Sequence, residues 1–80
     1  MSSKPLTDIW DLVTALREVS GVLTRYDGAH GRKWETQSVA VHIKHAVEHM
    51  ELALNMPDSQ RARTELAHAA TRALMALTLA

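Results

Sequence analysis

Apolar residues recurring every three or four positions constrain this chain more than anything else in it. Ile9, Leu12, Leu16, Val19, Leu23 and Tyr26 follow one another at spacings of three, four, three, four and three, the interval that lays a continuous stripe along one face of an α-helix. A second stripe, Val39, Ile43, Ala46, Met50 and Ala53, has spacings of four, three, four and three and is widened by Val47 and Leu54. A third runs through Ala62, Leu66, Ala69, Ala70, Ala73 and Leu77. Each stripe is expected to face the core. The alanines of the third imply close helix–helix approach.

The joints between the stripes are equally legible. Thr7 suits an N-cap, with Pro5 upstream and Asp8 near the positive end of the helix dipole. The first helix is expected to end at Asp27-Gly28-Ala29-His30-Gly31, with Gly28 as a left-handed cap and Gly31 as a second flexible point. Thr36 or Ser38 would cap the second helix, although Lys33-Trp34-Glu35 is a possible earlier start, and Asn55-Met56-Pro57 stops it, because a residue before proline is pushed out of the helical region. Asp58 or Ser59 would cap the third. The expected fold is all-α: one domain of three antiparallel-connected helices, about residues 7–26, 34–55 and 59–79, assembling into a larger helical bundle as a homo-oligomer.

Composition narrows the function. Eighty residues without cysteine exclude disulfides and thiolate zinc sites, and a core this small supplies only ~3–5 kcal/mol, which favours self-association. Nine basic and nine acidic residues cancel. The basic ones are scattered, which argues against a nucleic-acid footprint. The amino terminus lacks a signal-peptide pattern, and no apolar run approaches the ~20 residues of a membrane span. A cytoplasmic protein with no membrane partner is the expectation.

The stretch His42-Ile43-Lys44-His45-Ala46-Val47-Glu48-His49 carries three histidines at spacings of three and four. On a helical wheel of ~100° per residue they share a strip with Met56, beside the main seam and flanked on the other side by Val41 and Leu52. A helix docked through one face needs no second strip, so this one is expected to meet a second subunit or a ligand. Met75 and Leu79 make a similar case for the third helix. His45 and His49, at the four-residue spacing, are candidate metal ligands. Glu65-Leu66-Ala67-His68 matches the Glu-x-x-His element of dimetal bundles, but Glu65 and His68 point away from the alanine seam and further inward glutamates are missing. Packing histidines are the competing reading. Arg72 lies on the same side of its helix as Glu65, His68 and Leu79.

The connection from Gly28 to Lys33 is the other candidate. Gly28 and Gly31 would let backbone approach a ligand, and Arg32 and Lys33 offer charge to a phosphate. Neither the Walker spacing nor Gly-x-Gly-x-x-Gly is present. A plain connection accounts for the segment equally well. Trp34 and Trp10 read as packing anchors, Trp10 off its seam and so partly exposed or at a subunit contact.

HIKHAVEHMELAL followed by ELAHAATRALMAL resembles the C-terminal helix pair of small phage-encoded all-helical proteins similar to dATP/dGTP diphosphohydrolases. The matching positions are His45, Ala46, His49, Leu66, Ala67, His68 and Ala69, and the preceding HGRKW is similar to the entry into that pair. The resemblance covers Trp34 to Leu79. It implies a phage origin, a host-cytoplasmic location and a role around deoxynucleotides, with His45, His49 and His68 carried over. The family's acidic inter-helix loop is replaced by Asn55-Met56-Pro57-Asp58-Ser59-Gln60, and the paired glutamates that hold magnesium are incomplete.

Three functions follow as expectations. The first is an oligomeric, non-enzymatic accessory protein that needs no cofactor and binds a host protein or a small ligand. The second is a divalent-metal-dependent nucleotide diphosphohydrolase using His45, His49, Glu65 and His68, with Arg32 or Lys33 on phosphate. The third is a nucleotide-binding sponge without turnover.

Overall fold

The structure, a computed structural model, describes residues 9–80, without the side chain of His30. The expected cap at Thr7, with Pro5 and Asp8, lies outside the described residues. The chain is all-α: α1 spans Ile9–His30, α2 Val39–Leu54 and α3 Ser59–Leu79, with a short 3-10 turn at Lys33–Thr36 between the first two. No helix among the described residues is long and apolar enough to cross a membrane.

The caps follow local chemistry. The Ser38 hydroxyl accepts from the Val41 amide at 3.2 Å, and the Asp58 carboxylate accepts from the Gln60 amide at 2.9 Å, each satisfying a donor that the first helical turn leaves free. Lys33–Thr36 forms a separate turn rather than the start of α2. Gly28 does not cap α1, which continues through it to His30. Gly31 takes the left-handed conformation instead, at φ 65°, and its amide donates to the Asp27 carbonyl at 2.8 Å. Only Gly31 has the backbone freedom used, since a glycine inside a helix costs about 1 kcal/mol but forms it readily enough when the turn beyond is anchored.

That anchor is Trp34. Its ring is buried and its indole N–H donates to Asp27 Oδ1 at 3.1 Å, tying the turn back onto the last turns of α1. The expectation that Trp34 packs is met. Trp10 stands 70% exposed near the other end of α1.

α3 is the shared element: it packs on α2 along most of its length and on α1 over a shorter stretch. His49 meets Glu65 while His42 meets Arg72, so α2 and α3 run antiparallel. α1 reaches α3 through Glu18 to Arg63, Thr71 to the Val19 carbonyl, and Tyr26 under Arg72.

Which faces meet differs from the sequence expectation. On α2, Ile43, Val47, Met50 and Leu54 are 45–85% exposed, while His42 is fully buried and His45, His49, Ala53 and Met56 are half-buried. The covered side of α2 combines His42 and His49 with Ala46 and Ala53 of the main seam, while the larger residues of that seam point outward. On α3, Leu66, Ala73 and Leu77 are exposed, and Ala67, Ala69, Thr71, Met75 and Ala76 are buried. In α1 the first half of the seam, Ile9, Leu12 and Leu16, is 57–67% exposed; Val19, Leu23 and Tyr26 are half-buried and Val22 is buried. Among the described residues, four of the seven buried apolar side chains are alanines. The interior is therefore thin in apolar volume, and polar contacts set its register.

Candidate functional site

The polar residues that the sequence singles out converge in the crevice between α2 and α3, in two groups. The first is built on His42. Arg72 reaches it from α3, Nη1 donating to His42 Nδ1 at 3.0 Å and to Gln37 Oε1 at 2.9 Å. A guanidinium has no lone pair to offer, so His42 Nδ1 is the acceptor and the ring proton sits on Nε2. That Nε2–H donates to the Trp34 carbonyl at 2.8 Å. The Trp34 ring lies edge-on to the imidazole at 6.4 Å, and Tyr26 places its ring under the Arg72 guanidinium, 5.3 Å from Cζ. Every heteroatom of the buried imidazole is thus matched. Among the described residues no buried side-chain nitrogen or oxygen lacks a partner.

This group joins α1, the 3-10 turn, α2 and α3 through one guanidinium. Sequence marks Arg72 as sharing a side with Glu65 and His68, but Gln37 lies 35 positions away and carries no local signal of its role. The partners were legible only as separate entries: Tyr26 in the α1 seam, Trp34 as an anchor.

The second group lies roughly two helical turns further along α2. His49 Nδ1 and Glu65 Oε1 are 2.6 Å apart, with both side chains largely covered, and the His68 ring stacks on His49 at 5.2 Å between centroids. Because an ionised carboxylate only accepts, Nδ1–H donates to Glu65 and the carboxylate fixes the ring orientation, leaving Nε2 as the available nitrogen. Burial pushes the His68 pKa below its usual value, and the neighbouring His49 and the charges of Arg25 and Arg72 push the same way against an opposing pull from Glu65. A neutral His68 is what lets two imidazoles stack without repulsion. Such an oriented imidazole has the geometry of a general base.

The remaining candidates are dispersed. His45 turns outward to Glu48, Nδ1 to Oε1 3.0 Å, while His49 is held by Glu65, so the two expected metal ligands have different partners. Among the described residues no group of three histidine or carboxylate side chains converges as metal ligands would. Arg32 pairs with Glu35 at 2.8 Å and lies over the Trp34 ring. Lys33 opens the 3-10 turn and is exposed, as is Gly28. The phosphate-loop candidates thus all lie at or before the start of the turn.

A third feature was not expected at all. Of the stripes that the sequence assigns to the core, the larger residues, Leu12, Leu16, Ile43, Met50, Leu66 and Leu77 among them, stand exposed, while Ala46 and Ala69 are buried. Met50, Ala53 and Leu54 of α2 enclose a shallow recess with Ala62 and Leu66 of α3. On its other side Leu66 borders a second recess with Ala70, facing Ala15 and Val19 of α1. Leu12 and Leu16 extend the Val19 stripe, and Ile43 and Val47 extend that of Met50, at helical spacing. Leu66 therefore stands at the centre of an apolar face contributed by all three helices.

No protein-family model, curated protein or solved structure matches this chain.

Proposed function

We propose that this protein is a self-associating, non-enzymatic interaction module whose copies close their apolar faces against one another. The observation that carries the reading is the exposure of Ile9, Leu12, Leu16, Ile43, Val47, Met50, Leu54, Leu66 and Leu77, each 45% exposed or more, on three helices that share one side through Leu66. Soluble monomers rarely expose a contiguous apolar patch beyond a few hundred Å². These side chains present on the order of 1,000 Å², comparable with the ~800 Å² per partner of a stable interface.

A second copy is the occupant the chemistry favours. The stripes have the three-and-four spacing of helices that pack on helices of the same kind, and the formal charge is zero, so copies approach without net repulsion. With this face closed, the oligomer would offer its remaining surface to a host protein or small ligand, as an accessory factor does. Sedimentation at tens of micromolar is expected to give a discrete oligomer that Leu66→Asp dissociates. A monomer at ~100 µM would overturn the reading, since at that concentration even a weak biological interface is populated.

A second reading, a metal-assisted nucleotide diphosphohydrolase, draws on the His49–Glu65 pair. It requires divalent-ion-dependent release of phosphate or pyrophosphate that Glu65→Gln removes. Absence of turnover across the deoxynucleoside triphosphates would end it.

A further inference from the structure

At the α1–α3 junction, next to the apolar recess of Ala15 and Ala70 and sharing Glu18, Arg63 and Ala67 with it, lies a hollow of about 290 Å³ whose walls include Arg17, Arg25, Arg63, Gln60, Thr64 and Gly21. We propose that it is a binding site for a small, multiply charged oxyanion of the phosphate or diphosphate class. The inference is independent of self-association.

Charge is the first argument. Three guanidiniums from two helices border one concavity, and Glu18 is the only carboxylate among its lining residues. Glu18 accepts from Arg63 Nε at 2.7 Å. Among the described residues neither Arg17 nor Arg25 makes an ion pair. The hollow thus has a net charge near +2, which suits a dianion, and a guanidinium fork matches two oxygens of a phosphate at once.

Placement is the second argument. Arg17, Gly21 and Arg25 are four apart and share one side of α1. A β-carbon at Gly21 would sit 3.4 Å from Arg25 Nη1, at ordinary contact distance, so the Arg25 guanidinium lies back over the glycine on the wall of the hollow. The facing wall, near the start of α3, supplies the Gln60 amide and the Thr64 hydroxyl. The Thr64 hydroxyl proton is committed to the Gln60 carbonyl at 3.1 Å, so on that wall the Gln60 side-chain amide is the neutral donor and the Arg63 guanidinium the charged one. Such a set, charge at several corners with neutral hydrogen-bonding groups between, recognises oxygen-rich anions rather than planar carboxylates alone.

The shared ligand chemistry is the phosphate group, whether free or on a nucleotide. The test is an NMR titration of the arginine Nε–H resonances in the intact protein with inorganic phosphate, pyrophosphate and a deoxynucleoside triphosphate in separate arms, with sodium chloride matched for ionic strength. Saturable shifts of Arg17, Arg25 and Arg63 by pyrophosphate are expected below about 10 mM. The Arg17→Gln/Arg25→Gln double variant is expected to weaken binding roughly tenfold or more, and Glu18→Gln to tighten it severalfold by releasing Arg63 and removing the opposing charge. Equal affinity for pyrophosphate and the triphosphate identifies a site that reads phosphate alone; tighter triphosphate binding identifies a nucleotide. Shifts that never saturate, or binding that survives the double arginine variant unchanged, overturn the proposal. Met50→Asp, on the recess that Arg63 does not border, should leave the titration intact, so failure of self-association and failure of this site are read separately.

Discussion

The crevice between α2 and α3 and the open face around Leu66 reverse the usual assignment of residues to inside and outside. The crevice is lined by His42, His49, Glu65, His68 and Arg72; the open face carries leucine, isoleucine, valine and methionine. Their difference teaches that the two regions serve separate purposes. Buried, fully matched polar groups contribute little net free energy but penalise every alternative pairing, because any slip leaves a donor or a charge unsatisfied. Apolar surface is non-directional and contributes in proportion to area wherever it is covered. The crevice accordingly fixes register between helices, and the face supplies the driving force for assembly.

The largest test of that division is His42→Ala. It would remove one of the two acceptors of Arg72 and one of the two donors to the Trp34 carbonyl, leaving each with Gln37 alone, and open a void in the crevice, so a loss of about 3 kcal/mol is expected in urea unfolding. A loss below about 1 kcal/mol would mean that the network does not hold the register. Next comes the face: Leu66→Asp, or Met50→Asp beside it, should weaken association by at least about 2 kcal/mol, roughly thirtyfold in dissociation constant, as a central interface residue does. The helical content by circular dichroism should persist in dilute solution. If either variant unfolds the chain while remaining monomeric, the face is part of the fold rather than an interface.

Glu65→Gln gives a smaller effect, about 1–2 kcal/mol, from loss of a charge-assisted hydrogen bond to His49; the stacked pair of rings should become more mobile, visible in imidazole relaxation. The smallest effect concerns pH. The folded pKa of His68 is depressed, burial being the main cause. The folded state therefore holds fewer protons than the unfolded state just below the ordinary histidine value, near 6.5. Its stabilising contribution is complete above that pH and is lost as pH falls toward the folded pKa. Thermal unfolding followed from pH 7.5 to pH 5.5, values that bracket the ~6.5 of ordinary histidine, should show a modest decline that His68→Gln flattens. An identical decline in the variant would move the effect to another group.

How the candidate residues combine was only partly legible. That His49, Glu65 and His68 share sides of their helices follows from spacing, and the structure joins them. That Arg72 would bond His42 and Gln37 does not follow, because those positions are 30 and 35 residues from it. The hollow at Arg17, Gly21 and Arg25 was invisible for the same reason: its other wall belongs to α3, and the crossing of two helices leaves no periodic trace in either.

By itself the sequence determined the elements: helical periodicity, caps narrowed to Thr36 or Ser38 and to Asp58 or Ser59, the break at Pro57 and an all-α fold. These depend on neighbours within a turn or two, where backbone geometry and side-chain chemistry act locally. Only the tertiary structure decided which stripe of each helix turns inward. α2 and α3 each carry two stripes with apolar character about a quarter to a third of a turn apart on the wheel, and a hydrophobic pattern ranks them by apolarity alone. The inward choice was settled by the partner across the crevice, where Arg72 finds His42 and Glu65 finds His49. Those pairings have specific geometry that the more apolar stripe cannot provide, while that stripe keeps its value for contact with another surface.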